Sequence, residues 1–289
     1  MPVTSGKIQF ADNGNTLEIS LPIFGYKTII DMPLEIVRLD NGKYELYDHG
    51  EDAETYDIRK CQCTFLLTAT EQNSLNGFFN NAAANPTGRG IDVTIRMNTG
   101  SGFFPFGADK GDVGDFDVAA RIIETPITGE SPFNYFTCKV EFIHTGTYPV
   151  YSLPAEISEG SFTIGTITNN RFPPAWFKPK SEYANWATIE LDSSSQWIDR
   201  GTGGDWYDTE FEMHSNESKC AKVIEYLTGA AGRSNIFQVS QGTNYYMFGR
   251  DITTAALNVK LIQKRIVITH SRYNLFTYPL NLSYVSVVA

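Results

Sequence analysis

The sequence has little cysteine, little positive charge and no long apolar run, and each shortage excludes a class of protein. Four cysteines in 289 residues are too few for a disulfide-stabilised scaffold. With 23 basic and 33 acidic residues the net charge is −10, which disfavours a general nucleic-acid binder, because affinity for phosphate comes from lysine and arginine. No stretch approaches the roughly 18 consecutive apolar residues of a membrane helix, so we expect no membrane insertion.

The first seven residues lack both the basic and the apolar parts of a signal peptide, so we expect synthesis in the cytoplasm without a leader. What the chain does have is core-forming material: 42% of residues are hydrophobic and 13% are aromatic, which excludes low-complexity disorder. Its length suits two domains of about 140 residues or one large β domain.

The negative charge is concentrated in one half of the chain. Residues 1–150 carry 20 acidic and 11 basic residues, whereas residues 151–289 carry 13 and 12. An acidic surface that nucleic acid passes without sticking would fit this asymmetry, but ordinary solubility also explains it.

Cysteine and histidine give no sign of a metal or catalytic centre. Cys61 and Cys63 are two apart in a strand-like run, so they share a face, and with Cys138 and Cys220 they are expected to be buried free thiols. His49, His144, His214 and His270 lack ligand spacing, and they are expected to have surface or structural roles.

We found no nucleophile elbow, zinc-protease motif or phosphate-binding loop, so we predict no catalytic residues, no cofactor and no enzymatic activity. The best metal candidate is a glycine-rich acidic run that could suit Ca²⁺. It lacks the ligand spacing of an EF-hand loop, and a solvated loop is the favoured interpretation. Its carboxylates are Asp109, Asp112, Asp115 and Asp117.

Four tryptophans lie within a short stretch of the second half, at Trp176, Trp186, Trp197 and Trp206. Packing between domains or subunits is the favoured role, while a sugar-binding platform is the alternative. A carboxylate pair for sugar hydrolysis is a third, weaker possibility, because the chain has many acids from which to form one.

An internal repeat is the most informative feature of the sequence. Five pairs of segments match in the same order along the two halves. Residues 131–137 match 271–277 at a spacing of 140, residues 106–109 match 248–251 at 142, and Gly88-Arg89 matches Gly232-Arg233 at 144. The helical stripes Leu75-Phe78-Phe79 and Val223-Tyr226-Leu227 align at 148, and Asp48, Gly50, Tyr56 and Asp57 match Asp199, Gly201, Tyr207 and Asp208 at 151. The spacing falls steadily along the chain, as small deletions in a second copy would produce. We therefore predict a tandem duplication, with domains at 1–150 and 151–289.

Each predicted unit consists of strands interrupted by one helix. Alternating patterns such as residues 91–97 indicate half-buried strands. Thr68 and Glu71 form a capping box before the first helix, while Ser215 or Asn216 can cap the second and Gly229 or Gly232 can end it. The predicted fold is mainly β with one α-helix per unit, as two tandem, similar antiparallel β-sandwich or barrel domains.

This arrangement resembles the tail-tube-type domains of bacteriophage tails, found in tube, distal tail and baseplate hub proteins. Residues 64–79 are similar to the strand-then-helix passages of those proteins. The resemblance implies sheets that join between subunits around a channel. It also implies a homo-oligomeric ring, either a trimer with pseudo-sixfold symmetry or a hexamer. Other tail or baseplate proteins would be partners, DNA would pass in transit, and the location would be the virion tail. The alternative is a two-domain carbohydrate-binding module for host recognition.

Overall fold

The computed structural model describes residues 3–12, 15–22, 25–39, 43–49, 58–81, 91–97, 103, 105–106, 116–127, 135–145, 162–164, 167–169, 177–182, 186–191, 194–199, 206–229, 235–240, 256–272 and 275–287. These residues form nineteen strands and two helices, so the chain is mainly β, as predicted. Neither of the two described helices is long and apolar enough to cross a bilayer.

The elements of the first half are β1 (Lys7–Asp12), β2 (Asn15–Ser20), β3 (Lys27–Asp31), β4 (Leu34–Arg38), β5 (Tyr44–Asp48), β6 (Ile58–Thr68), α1 (Ala69–Asn81), β7 (Ile91–Met97), β8 (Phe116–Ile127) and β9 (Tyr135–His144). Those of the second half are β10 (Phe162–Ile164), β11 (Ile167–Asn169), β12 (Phe177–Glu182), β13 (Trp186–Leu191), β14 (Ser194–Asp199), β15 (Trp206–Ser215), α2 (Glu217–Thr228), β16 (Phe237–Ser240), β17 (Ala256–Leu261), β18 (Arg265–Arg272) and β19 (Leu275–Val287).

The strands of the two halves pair in the same sequence, and every pairing among the described strands is antiparallel. In the first half the order is β3-β6-β9-β8-β7-β1-β2. In the second half it is β12-β15-β19-β17-β16-β10-β11. A separate hairpin stands at the same point of each, β4–β5 in the first and β13–β14 in the second.

The helices also occupy matching places. α1 packs against β2, β6 and β9, whereas α2 packs against β11, β15 and β19, which hold the same positions in the second order. In the first half β2 and β6 lie close together, although no hydrogen-bonded pairing joins them among the described residues. α1 bridges this gap. No closed barrel forms among the described strands, and the sandwich or barrel form of each half stays a prediction.

The start of α1 follows the predicted capping box. The Thr68 hydroxyl accepts a hydrogen bond from the Glu71 backbone N–H at 3.3 Å, and the Thr68 N–H donates back to the Glu71 carboxylate at 3.1 Å. The same carboxylate accepts bonds from the Lys7 ammonium at 2.6 Å and the Ser20 N–H at 3.0 Å. It therefore fixes the helix to β1 and to the free edge of β2.

The second helix has local signals of its own at both ends. The Asn216 side chain accepts a hydrogen bond from the Lys219 N–H at 3.0 Å, and the Gly229 N–H donates to the Glu225 carbonyl at 2.8 Å. From the sequence either Ser215 or Asn216 could be the N-cap of α2, and in the structure it is Asn216. The structure likewise selects Gly229 over Gly232 as the end of the helix.

Two apolar cores form, and the predicted helical stripes enter them. Leu75 lies in the first core, which is built from β1, β2 and β6 to β9, while Val223 and Leu227 lie in the second. All four cysteines are buried and free, as predicted. Burial raises the pKa of the Cys138 thiol to about 11, so this group stays protonated and unreactive at neutral pH.

Substitution by alanine should change stability in opposite directions at Gly77, within α1, and at Gly229, which follows the last residue of α2. A Cβ at Gly229 would lie 2.8 Å from the Glu225 carbonyl oxygen, whereas a Cβ at Gly77 would have no atom within 4 Å. We expect Gly229→Ala to lower the free energy of unfolding by about 1 kcal/mol or more. Gly77→Ala should raise it by up to about 1 kcal/mol, because alanine favours the helix interior. Urea denaturation followed by circular dichroism measures both; equal effects would contradict this account.

The Glu71 carboxylate should make stability depend on acid. Burial raises its pKa, but hydrogen bonds from Lys7, Thr68 and Ser20 outweigh that effect and lower it from 4.5 to about 2. The stabilisation is therefore complete above pH 4.5 and is lost as the pH falls toward 2. We expect Glu71→Gln to cost about 1–3 kcal/mol at pH 7 and progressively less below pH 4.5. Glu225→Gln, at an exposed position of α2, is the control; an equal loss there would contradict the assignment.

Candidate assembly interface

The two halves of the chain are joined by a strand pairing. β3 of the first half has both edges occupied, because β6 pairs with one edge and β18 of the second half pairs with the other. The register runs from Lys27 opposite Thr269 to Asp31 opposite Arg265. One continuous sheet thus crosses from the first half to the second.

Backbone hydrogen bonds extend this pairing beyond both ends of β3. The Met32 N–H donates to the Lys264 carbonyl at 2.8 Å. At the other end the His270 N–H donates to the Tyr26 carbonyl at 3.1 Å, and the Gly25 N–H donates to the His270 carbonyl at 2.9 Å. Gly25 has a φ of +96°, a conformation that side chains with a Cβ rarely adopt, so glycine suits the turn into β3.

A charge pair marks one end of the pairing. Both oxygens of the Asp31 carboxylate accept from the Arg265 guanidinium, with Nη2 at 3.1 Å from Oδ2 and Nε bonded to Oδ1. The Lys60 ammonium lies 3.9 Å from Asp31. Because the Arg265 side chain is 62% exposed, this ion pair contributes little stability. Its bidentate geometry fits only one alignment of the strands, so its main effect is on register.

Aromatic packing marks the other end. The His270 ring stacks on Tyr26 with centroids 4.6 Å apart, and Phe276 lies 4.9 Å away on the second half. Phe103 packs edge-on against Tyr26 at 4.9 Å. Burial lowers the pKa of His270, so its imidazole is neutral at pH 7.

Polar contacts join the halves on either side of the pairing. From the β4–β5 hairpin the Tyr44 hydroxyl donates to the Asp208 carboxylate at 2.9 Å, and the Lys260 ammonium donates to the Tyr44 carbonyl at 3.0 Å. The buried Arg59 guanidinium of β6 donates to the Thr228 hydroxyl, at 3.3 Å, near the end of α2.

The apolar core is shared as well. Ile30, Met32 and Leu34 belong to the first half in sequence, yet they are buried in the cluster formed by α2 and β15 to β19. The predicted boundary near residue 150 therefore does not separate the two cores, because β3 contributes to the second. Strand pairing with shared apolar packing is a means of joining β units edge to edge.

The sequence-predicted site residues do not converge on a catalytic or metal centre among the described residues. Of the calcium candidates, Asp109, Asp112 and Asp115 lie outside the described residues. Asp117 is exposed and accepts from the Thr94 hydroxyl at 3.1 Å. No group of three potential metal ligands occurs in the described part of the chain.

The tryptophans and histidines are distributed over several elements. Trp186, Trp197 and Trp206 lie in β13, β14 and β15, and their side chains, like the whole of Trp176, are outside the described residues. His49 and His214 contact Glu35 and Glu212, while His270 is structural, as expected. Sequence reasoning missed the interface itself, since Asp31 and Arg265 are 234 residues apart and only their opposite charges could have suggested a contact.

The neutral His270 should make the joined structure sensitive to mild acid. Its pKa is lowered from 6.5 in the folded chain, so the unfolded chain binds a proton more readily. The stabilisation is present above pH 6.5 and is lost as the pH falls below it, at no more than about 1.4 kcal/mol per pH unit. We expect His270→Phe to reduce the fall in unfolding free energy between pH 7 and pH 5. Exposed His49→Gln is the control, and an unchanged slope in H270F would contradict the assignment.

Comparison with known proteins gives no family for this chain, because no protein-family model and no curated protein matches it.

Proposed function

We propose that this chain is a structural virion protein of a bacteriophage tail, a non-catalytic component of a ring or tube near the baseplate. In this proposal residues 1–150 and 151–289 are two tandem, similar tail-tube-like β domains of the sandwich or open-barrel type. The observation that carries the proposal is that both halves have one pairing order and that a single sheet continues from one half into the other. DNA would pass through the assembly without being bound.

The registers of the two halves support the duplication. Thr68 and Asn216, the two helix caps, are 148 residues apart, which is the spacing that the sequence repeat gives for the helices. The buried residues of β6 and β15 follow the same spacing, with Cys61, Cys63, Phe65 and Leu67 matched by Thr209, Phe211, Met213 and Ser215. Strands that repeat in both order and burial favour two copies of one fold.

The edge-to-edge junction supports an assembly role. A β unit that accepts a neighbouring strand on β3 can extend its sheet into a further unit, and repetition of such a contact closes a ring if the rotation divides the circle. The acidic first half supports passage of DNA, because a wall with few cations forms few phosphate contacts.

The alternatives have less support in the described residues. A hydrolase that works through a carboxylate pair needs a general acid with a raised pKa, whereas Glu71, the described carboxyl with a large shift, has a lowered pKa and a structural role in capping α1. The tryptophan side chains lie outside the described residues, so glycan binding stays the alternative that the experiment below tests.

Native mass spectrometry and negative-stain imaging of the purified chain test the proposal. We expect particles of three or six chains with a central opening and sixfold or pseudo-sixfold outline. Mobility-shift measurements at low salt should show no stable complex with duplex DNA. A monomer that binds immobilised glycans, with binding lost in Trp186→Ala or Trp197→Ala, would support the carbohydrate-binding alternative instead.

A further inference from the structure

One strand of the first half corresponds to two strands of the second half. β8 pairs with β7 over Phe116 to Ala120 and continues along β9 as far as Ile127. In the second half, β17 pairs with β16, and β18 then continues along β19. β17 and β18 together therefore take the place of β8, and β18 is the part whose outer edge holds β3.

The matching edges remain open in the described structure. Beyond Ala120, β8 has no partner among the described strands on the side that β7 occupies. β12, which takes the place of β3, pairs with β15 on one edge and with no described strand on the other. The described strands thus contain one completed junction, β18 with β3, and the two matching edges, on β8 and β12, have no described partner.

The register of the unused junction follows from the pairings. Ile127 lies opposite Thr137 and Thr269 lies opposite Thr277, and these threonines match in the repeat, so Ile127 corresponds to Thr269. Cys61 lies opposite Thr28 and its counterpart Thr209 lies opposite Pro179, so Thr28 corresponds to Pro179. Lys27, which lies opposite Thr269, corresponds in the same way to Lys178, so Ile127 and Lys178 are the matching positions of the two open strands. β8 shifts its register against β9 between Ile122 and Glu124 and again between Glu124 and Ile127, so the comparison fixes the register at Ile127.

We propose that residues 123–127 of β8 pair in antiparallel fashion with β12 of a second copy of this chain, repeating between chains the pairing of β18 with β3. Ile127 lies opposite the second copy's Lys178, as Thr269 lies opposite Lys27 within the chain. The inference rests on the proposed function and names the surface by which the chains join.

The residues of the two edges are compatible with this register. Lys178 stands where β3 has Lys27, which is paired opposite Thr269, so a lysine at this position does not prevent pairing. Glu182 stands where β3 has Asp31, which keeps an acid at the end of the strand. On β8, Ile123 is 38% exposed, an apolar group left partly in solvent at the open edge.

Each open edge also contains a proline, Pro126 in β8 and Pro179 in β12. Proline cannot donate a ladder hydrogen bond and is confined to edge strands and bulges; Pro179 suits the edge strand β12, and Pro126 lies where β8 shifts its register against β9. With one proline in each strand, the ladder has fewer bonds than that of β3 with β18. A weaker ladder suits a contact between chains that forms on assembly.

The contact is heterologous, because two different edges meet. Every chain offers both edges, so pairing propagates from chain to chain and gives a ring or an open filament according to the rotation at each step. The internal junction already supplies one such step within each chain.

Disulfide trapping between separately made full-length variants tests the pairing. I127C is mixed with K178C under mild oxidation, and a product of twice the chain mass is measured on a non-reducing gel. Directly opposed residues of antiparallel strands have Cα atoms about 4.5–5.5 Å apart, within the range that a disulfide spans. The four native cysteines are buried, so their background is low.

The chain supplies matched controls. K27C with T269C in one chain places cysteines at the equivalent positions of the internal junction and should close within the chain. L66C replaces I127C in the negative control, because Leu66 is 40% exposed on β6, a strand whose edges are both occupied.

We expect the I127C and K178C mixture to give at least tenfold more dimer than the L66C and K178C mixture. If K27C and T269C close while I127C and K178C give no more than the control, the inference is overturned. Assemblies that form without this cross-link would overturn the inference but leave the proposed function standing. Cross-linked open filaments would support the inference and contradict the ring.

Discussion

The structure depends on the occupation of both edges of β3. An exposed strand edge presents unpaired N–H and carbonyl groups that bind any complementary edge, so a mainly β protein must pair, cover or block its edges. β6 and β18 occupy the edges of β3, and the apolar residues Ile30, Met32 and Leu34 extend the junction into the second core. Edge pairing sets the register, and shared burial supplies the larger part of the free energy, since the exposed Arg265–Asp31 pair contributes little.

The start of α1 and the alternation of β7 were predictable from the sequence, because the residues that determine them are neighbours along the chain. A threonine three residues before a glutamate specifies a helix start, and the Thr68–Glu71 hydrogen bonds follow that prediction. The alternation of β7 fixes its faces, and the predicted strand at residues 91–97 has the bounds of the observed one. The spacing of 148 between the two helical stripes in the sequence is also the spacing between the observed helix caps Thr68 and Asn216.

The junction was not predictable because sheet pairing is non-local. Nothing near Asp31 specifies a partner 234 residues away, and the alternating pattern of β3 is compatible with many neighbours. The division of the chain near residue 150 followed from the repeat, but a repeat locates copies of sequence and not the limits of cores. Alternation likewise does not decide between a sandwich and a barrel, because closure depends on the tilt and stagger of the strands.

Because β3 pairs with β6 of the first half and with β18 of the second, its pairing depends on the order in which the chain is synthesised. A ribosome releases residues 27–31 long before residues 265–272, so the strand must wait through most of translation with one side uncovered. Non-local pairings of this kind form slowly, and the intermediates are prone to aggregate because strand edges and apolar surface stay exposed. Until β18 is made, that edge of β3 can accept the β18–β19 hairpin of another chain, and such a capture would give a domain-swapped product in place of the pairing within one chain.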